Sequence, residues 1–427
     1  MERASTIREH LFSLTTLGIK YDLDRMVAAA SAIGNPERSY PAFHVAGTNG
    51  KGSVCTYLES CLRAGGRKTG LFMSPHIAHF EERFLINGRP VAEPIWLSAY
   101  DTLRPVIDDL QLTFFEATTL MAFEIFKRER IDWAVFETGL GGRLDATNVV
   151  IPRVSVIGRL AMDHTGYLGD ELLSIAGEKL GIVKNGVPLV MARPELPGIA
   201  MLAEKVCATR QAPLHLVGRE MASETVLDDS GAAFVFEGRR HRINLAGEYQ
   251  VTNALLALAA LREAGIDDHS AHARGMENAR LPGRFQIVTA RGREIVFDVG
   301  HNPDAAESFC RALERHIRRQ SREIDAQSLC IVLGIMKDKD IAGMLPHYAG
   351  LARRLILVQP AVDRAAATAD LRRCVPVDFA GSCLECRDIP QAVDLALNGS
   401  EEVVVVAGSF YTVGEAMRHL GIEPYES

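Results

Sequence analysis

The chain has 427 residues, of which 47% are hydrophobic and 24% are charged, and its formal net charge is −7 at pH 7. This length exceeds what one hydrophobic core supports and predicts two or three domains. The net negative charge and the absence of a cluster of basic residues argue against binding to nucleic acid or to a membrane surface. The N-terminal residues are charged and lack the apolar core of a secretion signal, and no apolar run is long enough to predict a membrane span.

The first elements lead into a glycine-rich loop. Residues 1–40 carry apolar side chains at helical spacing, and the short apolar strand at 42–45 is followed by Gly-Thr-Asn-Gly-Lys-Gly-Ser and a helical pattern up to Leu62. Glycines let backbone N–H groups close around an anion, Lys51 offers a cation to the outer phosphates, and Ser53 offers a hydroxyl to Mg²⁺. The loop therefore predicts a nucleotide triphosphate site in preference to a ligand-free turn, although Gly52 is an addition to the ordinary P-loop pattern and Val45 replaces its first glycine.

Strands and helices alternate over the next stretch, interrupted by a hairpin turn predicted at Asn87-Gly88. The pattern predicts strands at 68–73, 133–137, 154–158 and 188–191 and helices at 95–110, 117–130 and 172–183. Such alternation is typical of a mainly parallel sheet with helices on both faces. The residues that follow each strand are then expected along the same edge as the phosphate loop.

The second half begins with a different pattern. Residues 213–245 predict short antiparallel strands rather than another strand–helix unit, and a helix is predicted at 249–263. Leu281-Pro282-Gly283-Arg284 is the expected domain boundary. From Glu294, five further strand–helix alternations predict a second, smaller open sheet without a phosphate loop. We therefore expect an α/β protein with domains at 1–284 and 285–427, the first with a small antiparallel subsheet.

Eight cysteines are spread along the chain without a framework spacing. They indicate free thiols in a reducing compartment, and we expect the protein to be cytoplasmic. Cys383 and Cys386 form one C-x-x-C pair. No second pair or suitably spaced histidine accompanies it, so ordinary packed or surface cysteines are favoured over a zinc site.

Three ionisable residues follow predicted strands or lie near them. Glu137 ends a buried strand before a glycine-rich run, where a carboxylate can hold the metal of a nucleotide. His164 follows the next strand in Asp163-His164-Thr165, and a structural role is about as well supported as metal binding. Lys179 lies on a predicted helix, where a lysine is normally a solvated surface charge.

Ten segments, in order, resemble one family, the Mur ligases of the folate branch: the dihydrofolate synthases and folylpolyglutamate synthases. The segments are GTNGKGS, SPH at 74–76, FEERFLING, FFEATT, ETGLGGRLDATN at 137–148, DHTGYLG at 163–169, EKLGIVK, GEYQVTNA at 247–254, LPGRFQ and DVGHNP at 298–303. GIMKDKD at 334–340 and GSFYTVGEA fit the same resemblance. Each segment alone is weak evidence for the family, but the whole set in this order is highly specific for it.

The resemblance implies roles for individual residues. The catalytic residues are Lys51, His164 and Lys179, the last of which the family carries as a carbamate, and the metal ligands are Ser74, Glu137 and His164. The ATP contacts are Thr48, Asn49, Gly50, Lys51, Gly52, Ser53, Asn253, Arg284 and Asp298. The pterin pocket comprises Thr113, Phe114, Phe115, Glu116, Leu144, Asp145 and Ala146.

By the same resemblance, the chain is expected to add L-glutamate to dihydropteroate and to reduced folates through an acyl phosphate, using ATP and two Mg²⁺ ions. A monomer is expected, because nothing in the sequence suggests an obligate partner. Two positions differ from the family pattern. Gly166 stands where relatives usually carry an acidic residue, and Phe84-Leu85 replaces a more polar pair. The alternatives are a folylpolyglutamate synthase alone, a Mur-type ligase with another carboxylate substrate, a nucleotide-dependent switch or kinase, and a non-catalytic nucleotide-binding subunit. About 40 residues precede the phosphate loop, which disfavours cell-wall ligases with an N-terminal uridine-nucleotide domain.

Overall fold

The computed structural model describes residues 2–18, 22–228, 230–319 and 329–425. The strands of these residues are β1 (Ala42–Ala46), β2 (Thr69–Phe72), β3 (Phe84–Ile86), β4 (Arg89–Pro90), β5 (Trp133–Glu137), β6 (Val154–Ile157), β7 (Leu189–Ala192), β8 (Leu214–Val217), β9 (Ser223–Leu227), β10 (Ala232–Phe236), β11 (Arg239–Ile243), β12 (Gln286–Ala290), β13 (Arg293–Asp298), β14 (Leu329–Leu333), β15 (Ala352–Leu357), β16 (Ser382–Glu385) and β17 (Val403–Ala407). They form one sheet of eight strands, one of three and one of six.

The α-helices of the described residues connect these strands. They are α1 (Glu2–Ser13), α2 (Asp24–Ala32), α3 (Lys51–Ala64), α4 (Glu93–Asp109), α5 (Phe114–Arg128), α6 (Thr165–Leu168), α7 (Leu172–Leu180), α8 (Pro197–Thr209), α9 (Tyr249–Glu263), α10 (His269–Asn278), α11 (Pro303–Arg319), α12 (Ile341–Ala349), α13 (Thr368–Arg373), α14 (Ile389–Leu397) and α15 (Phe410–Leu420). Single 3₁₀ turns lie at Leu14–Leu17, Pro36–Arg38, Phe80–Arg83, Ala146–Val149 and Arg219–Met221. None of these helices combines the length and the apolarity that a bilayer crossing requires.

The eight-stranded sheet has the order β4-β3-β2-β5-β1-β6-β7-β8, and its pairings are parallel except for β2–β3 and β3–β4 at one edge, which are antiparallel. All five residues of the central strand β1 are buried, as expected where helices cover both faces of a parallel sheet. In the register, Val45 pairs with Glu137 and Ala46 with Ile157. The loops that follow β1, β5 and β6 therefore leave the sheet side by side, which confirms the predicted edge.

The three-stranded antiparallel sheet of β9, β10 and β11 confirms the predicted subsheet. The prediction was wrong for β8, which extends the large sheet parallel to β7. The crossover helix α8, which was not predicted, makes this connection possible. As an edge strand β8 is only half-buried, so its sequence lacks the continuous apolar run that marks the inner strands. Helix α10 and strand β12 were also not predicted.

The six-stranded sheet has the order β12-β13-β17-β14-β15-β16, with β12 antiparallel at one edge and the other strands parallel. Five strand–helix units, beginning with β13, confirm the predicted second α/β sheet. Separate apolar clusters cover its two faces. The sheet is therefore buried on both sides like the first one.

The loop after β2 passes between the two large sheets. The Ile77 side chain packs into the apolar cluster of the six-stranded sheet, and Arg418 on α15 donates to the Ala78 carbonyl oxygen at 3.1 Å. A Cβ atom at Gly414 would lie 1.9 Å from the Ile77 carbonyl oxygen, so this backbone contact requires glycine. Helix α15 thus holds the segment that follows Ser74.

Candidate functional site

The phosphate loop is fixed in place by neighbouring backbone. The N–H groups of Thr48 and Asn49 both donate to the Arg159 carbonyl oxygen, at 2.9 and 3.2 Å. Gly50 has a φ of +81°, and a Cβ atom there would lie 2.4 Å from Asn253 Oδ1. Any side chain at Gly50 would therefore strain the loop and displace Asn253. The open loop leads directly into α3, whose N-terminus attracts anions.

Two lysines share one acceptor behind this loop. Lys51 Nζ donates to the carbonyl oxygens of Gly47 and Thr48 at 3.1 and 3.2 Å, and Lys179 Nζ donates to the same Gly47 oxygen at 2.8 Å. Burial, together with the nearby charge of Lys51, lowers the pKa of Lys179 to about 7. Lys179 is thus a buried, partly neutral amine and not the solvated charge that its helical position alone suggested.

Glu137 lies at the end of β5 beside the phosphate loop. Its Oε2 accepts the Ser74 N–H at 3.1 Å, and burial raises the pKa of the carboxyl while the charge of Lys51 and the Ser74 N–H partly offset that rise. Among the described residues, no three His, Cys, Asp or Glu side chains come together as a ready-made metal site. One carboxylate with the hydroxyls of Ser53 and Ser74 nevertheless suits Mg²⁺, which binds through one or two carboxylates and completes its shell with phosphate oxygens and water.

His164 lies beside a cation from the six-stranded half of the molecule. Lys339 Nζ is 2.7 Å from Asp163 Oδ1 and 3.2 Å from His164 Nε2. Burial lowers the pKa of His164 to about 4, so its imidazole is neutral and offers a lone pair. Lys339 now occupies the lone pair of Nε2, so this nitrogen can ligate a metal only after the ammonium moves.

A cavity of about 340 Å³ extends from the phosphate loop along the seam between the two large sheets. Asn49, Gly50, Gly52, Ser53, Asn253, Arg284 and Asp298, all predicted ATP contacts, line it. The Arg284 guanidinium lies 5.5 Å from the centroid of the Phe410 ring. Asp298 accepts the N–H groups of Phe285 and Gly300, at 3.1 and 2.7 Å. Side chains from both halves therefore border one nucleotide-sized space.

A second cavity of about 710 Å³ lies on the other side of the phosphate loop, and Gly50, Gly52 and Arg284 line both cavities. We call it the acceptor cavity. Thr48, Lys51, Ser74, Glu137, His164 and Lys179 all line it. The structure thus brings the predicted catalytic and metal-binding residues to one space that adjoins the nucleotide cavity.

The predicted pterin residues divide into two groups. Phe114 and Phe115 line the acceptor cavity, whereas Thr113 and Glu116 form the capping box at the start of α5. Asp145 accepts the N–H groups of Gly139 and Leu140, both at 2.8 Å, and so shapes the loop after β5. Leu144, Asp145 and Ala146 are not among the residues that line the cavity.

The acceptor cavity also contains residues that sequence reasoning did not assign. Arg83 is buried, donates through Nε to His76 Nδ1 at 2.9 Å, and has its pKa lowered to about 10 by burial. His301 and Lys339 come from loops of the six-stranded sheet, and Phe12 comes from α1. The available signals were the FEERFLING, DVGHNP and GIMKDKD segments, which were recognised without a role for these side chains. Phe12 carried no signal.

This arrangement can hold a triphosphate between two cavities, with cations around its outer end and a carboxylate for a metal. Asn49 Nδ2 donates to Asp304 Oδ2 at 2.7 Å, and Asp304 also pairs with Arg159 at 2.8 Å. These bonds join the phosphate loop to the start of α11 in the six-stranded half. Both cavities therefore have their full lining only when the two halves are docked.

Comparison with known proteins adds independent findings. The Mur ligase middle domain matches residues 45–261, and the Mur ligase glutamate ligase domain matches residues 283–410. The dihydrofolate synthase/folylpolyglutamate synthase of Escherichia coli (strain K12) is 35% identical over 412 residues, which cover 96% of this chain and 93% of that protein. Mycobacterium tuberculosis folylpolyglutamate synthase complexed with ADP has a TM-score of 0.88 at 27% identity, with 99% of each chain covered. The bifunctional enzyme of Yersinia pestis, complexed with AMPPNP and Mn ion, has a TM-score of 0.84 at 30% identity, with 98% of each chain covered.

Proposed function

The chain belongs to the Mur ligase family, in its dihydrofolate synthase/folylpolyglutamate synthase branch, and from that premise we propose that it uses ATP to join L-glutamate to dihydropteroate and to the glutamyl tail of reduced folates. One observation carries the proposal: Lys51, Glu137 and Lys179, far apart in sequence, line one cavity that adjoins the nucleotide cavity. ATP enters the smaller cavity and the acceptor acid enters the larger one.

The first step activates the acid, because a free carboxylate has a poor leaving group. A carboxylate oxygen of the acceptor attacks the γ-phosphorus of ATP, the bond to ADP breaks, and an acyl phosphate forms. Lys51 neutralises charge on the moving phosphoryl group, and the N–H groups at the start of α3 hold the phosphates that remain on ADP. The phosphate loop lies between the two cavities, so the γ-phosphorus faces the acceptor.

The second step forms the amide. The neutral amine of glutamate attacks the acyl carbon, inorganic phosphate leaves with the carbon–oxygen bond electrons, and the nitrogen loses one proton. Docking of the six-stranded half excludes water from the acyl phosphate, and His301 and Lys339 border the space where the amine would approach. We propose that residues 1–284 and 285–427 act as the two domains of this closure.

Ser53, Ser74, Glu137 and His164 are the residues that would hold Mg²⁺, which when bound neutralises the phosphate oxygens and assists phosphoryl transfer. Because Lys339 contacts His164 Nε2, this nitrogen would bind the ion only after the Lys339 ammonium has moved away. Lys179 would react with CO₂ as a neutral amine to give a carbamate and a proton. The carbamate oxygens would bind a second ion. The lowered pKa of the Lys179 amine supports this reaction, because only the neutral amine adds CO₂.

Two further properties belong to this proposal. The eight cysteines of the chain are all free thiols in the structure, which supports a reducing, cytoplasmic location. We also propose that the working unit is a monomer.

The substrate range is tested by two parallel assays of the purified protein, with dihydropteroate and with tetrahydrofolate, each with ATP, Mg²⁺ and glutamate. We expect glutamate-dependent phosphate release with both acids, because Phe114 and Phe115 in the wide acceptor cavity suit a pteroate with or without a glutamyl tail. Release with tetrahydrofolate alone would favour a folylpolyglutamate synthase without the first activity. Release with neither acid would contradict the proposed function, as would release that does not depend on glutamate.

A further inference from the structure

Phe12 on α1 is an aromatic side chain with an unusual position. It remains 41% exposed, and it lines the acceptor cavity rather than the outer surface alone. It also precedes residue 45, so it lies outside both segments that the Mur ligase domains match. No role for this residue follows from the family resemblance or from the catalytic site.

The Phe12 ring is held in a fixed orientation by its neighbours. It stacks on Phe114 with centroids 5.3 Å apart and an interplanar angle of 17°, and it lies 6.3 Å from Phe80 and 6.2 Å from the His76 ring. The Phe114 ring also receives the Arg83 guanidinium at 4.8 Å. Of the stacked pair, Phe12 is the more exposed ring and is the one that can offer surface to a ligand.

The reaction constrains where the rest of the acceptor lies. Its carboxylate must reach the phosphate loop at Lys51, so its planar aromatic part must extend to another wall of the same cavity. Aromatic rings pair in offset-stacked or edge-to-face arrangements, and such pairs are stabilised beyond what the buried area alone contributes. Phe12 and Phe114 form a preformed aromatic wall, whereas Tyr411, also 41% exposed, lies at the start of α15 on the opposite half.

Building on the proposed function, we propose that Phe12 is a substrate-binding residue that stacks on the planar aromatic part of the pteroate and so contributes to selection of the acceptor. Helix α1 then forms part of the active site. In this arrangement the ring contacts neither ATP nor glutamate, so its removal weakens binding of the acceptor and of no other substrate.

The test compares Phe12→Ala, Phe12→Leu and Phe12→Tyr with the wild type in steady-state kinetics, varying each substrate in turn. For Phe12→Ala we expect the KM for dihydropteroate to rise at least about tenfold, with kcat and the KM values for ATP and glutamate unchanged. Phe12→Leu should show a smaller rise in the KM for dihydropteroate, because leucine keeps apolar area without a planar ring. Phe12→Tyr keeps the ring and should have the wild-type KM. Val27→Ala, an exposed apolar residue on α2, is the matched control and should change nothing.

Equilibrium binding of dihydropteroate in the presence of a non-hydrolysable ATP analogue provides a second readout that needs no turnover, and thermal melting checks the fold of each variant. An unchanged dihydropteroate KM in Phe12→Ala would overturn the proposal, as would an effect confined to Tyr411→Ala. Equal rises in all three KM values would indicate general damage and would also overturn it. A wild type with no pteroate-dependent phosphate release would instead contradict the proposed function.

Discussion

Lys51→Ala is expected to lower kcat for glutamate ligation by about 10³-fold, the effect of removing one preorganised group that stabilises transition-state charge. Lys51 is the cation of the phosphate loop, and it lines the acceptor cavity. Among the described residues, its ammonium donates only to the Gly47 and Thr48 carbonyl oxygens, and because Lys51 is half-buried, water can hydrogen-bond to these oxygens in its place. The melting temperature should therefore stay close to that of the wild type.

Lys205→Ala on α8 is the matched control, because it removes an exposed lysine charge outside the cavities. It should retain full activity. The rates of ADP and product formation are measured for both variants, and circular dichroism verifies that both are folded. If Lys51→Ala kept kcat near the wild-type value while remaining folded, the phosphoryl-transfer role of this loop would be refuted.

Lys179 is expected to make activity depend on CO₂. Burial and the charge of Lys51 lower its pKa to about 7, so the amine is neutral above that pH and able to add CO₂. As the pH falls below about 7 the amine becomes protonated, and CO₂ activation should weaken. Lys179→Ala and Lys179→Arg should both lower kcat by about 10²-fold or more, since neither can carry the anionic carbamate next to Lys51.

The measurement is activity after removal of CO₂ and after addition of bicarbonate, together with a carbamate resonance in spectra taken with isotope-labelled bicarbonate. The resonance should vanish in Lys179→Ala and persist in Lys205→Ala. Short carboxylic acids should partly restore activity to Lys179→Ala by supplying the missing anion. Full activity of Lys179→Arg, or a wild type indifferent to CO₂ and without the resonance, would disprove the carbamate.

The parts of the site that the sequence predicted share a local origin. The phosphate loop is specified by a strand, the seven-residue motif at 47–53 and a helix that begins within this motif, all contiguous in the chain. Glu137 could be predicted because a carboxylate ends an apolar strand, and parallel pairing brings that end beside Val45. Alternating strands and helices likewise predicted both large sheets, because each strand carries its own apolar run.

The parts that the sequence did not predict depend on distant contacts. Lys339 and Asp163 are 176 residues apart in the chain, and their ion pair exists only because the two sheets dock. Phe12 reaches the cavity through packing of α1 on α5, which leaves no mark in the local pattern. Strand β8 was wrongly assigned to the antiparallel strands, because an edge strand needs little apolar character and so lacks the mark of a parallel inner strand. The lowered pKa of Lys179 arises mainly from burial, which helical periodicity alone could not reveal.

The central claim is that a carboxylate of the acceptor is activated by the γ-phosphoryl group of ATP at the seam between the two sheets. Dihydropteroate with heavy-oxygen label in its carboxylate tests it directly. After ligation, we predict that the released inorganic phosphate carries a labelled oxygen taken from that carboxylate. Amide formation with unlabelled phosphate would show that no acyl phosphate forms and would contradict the account.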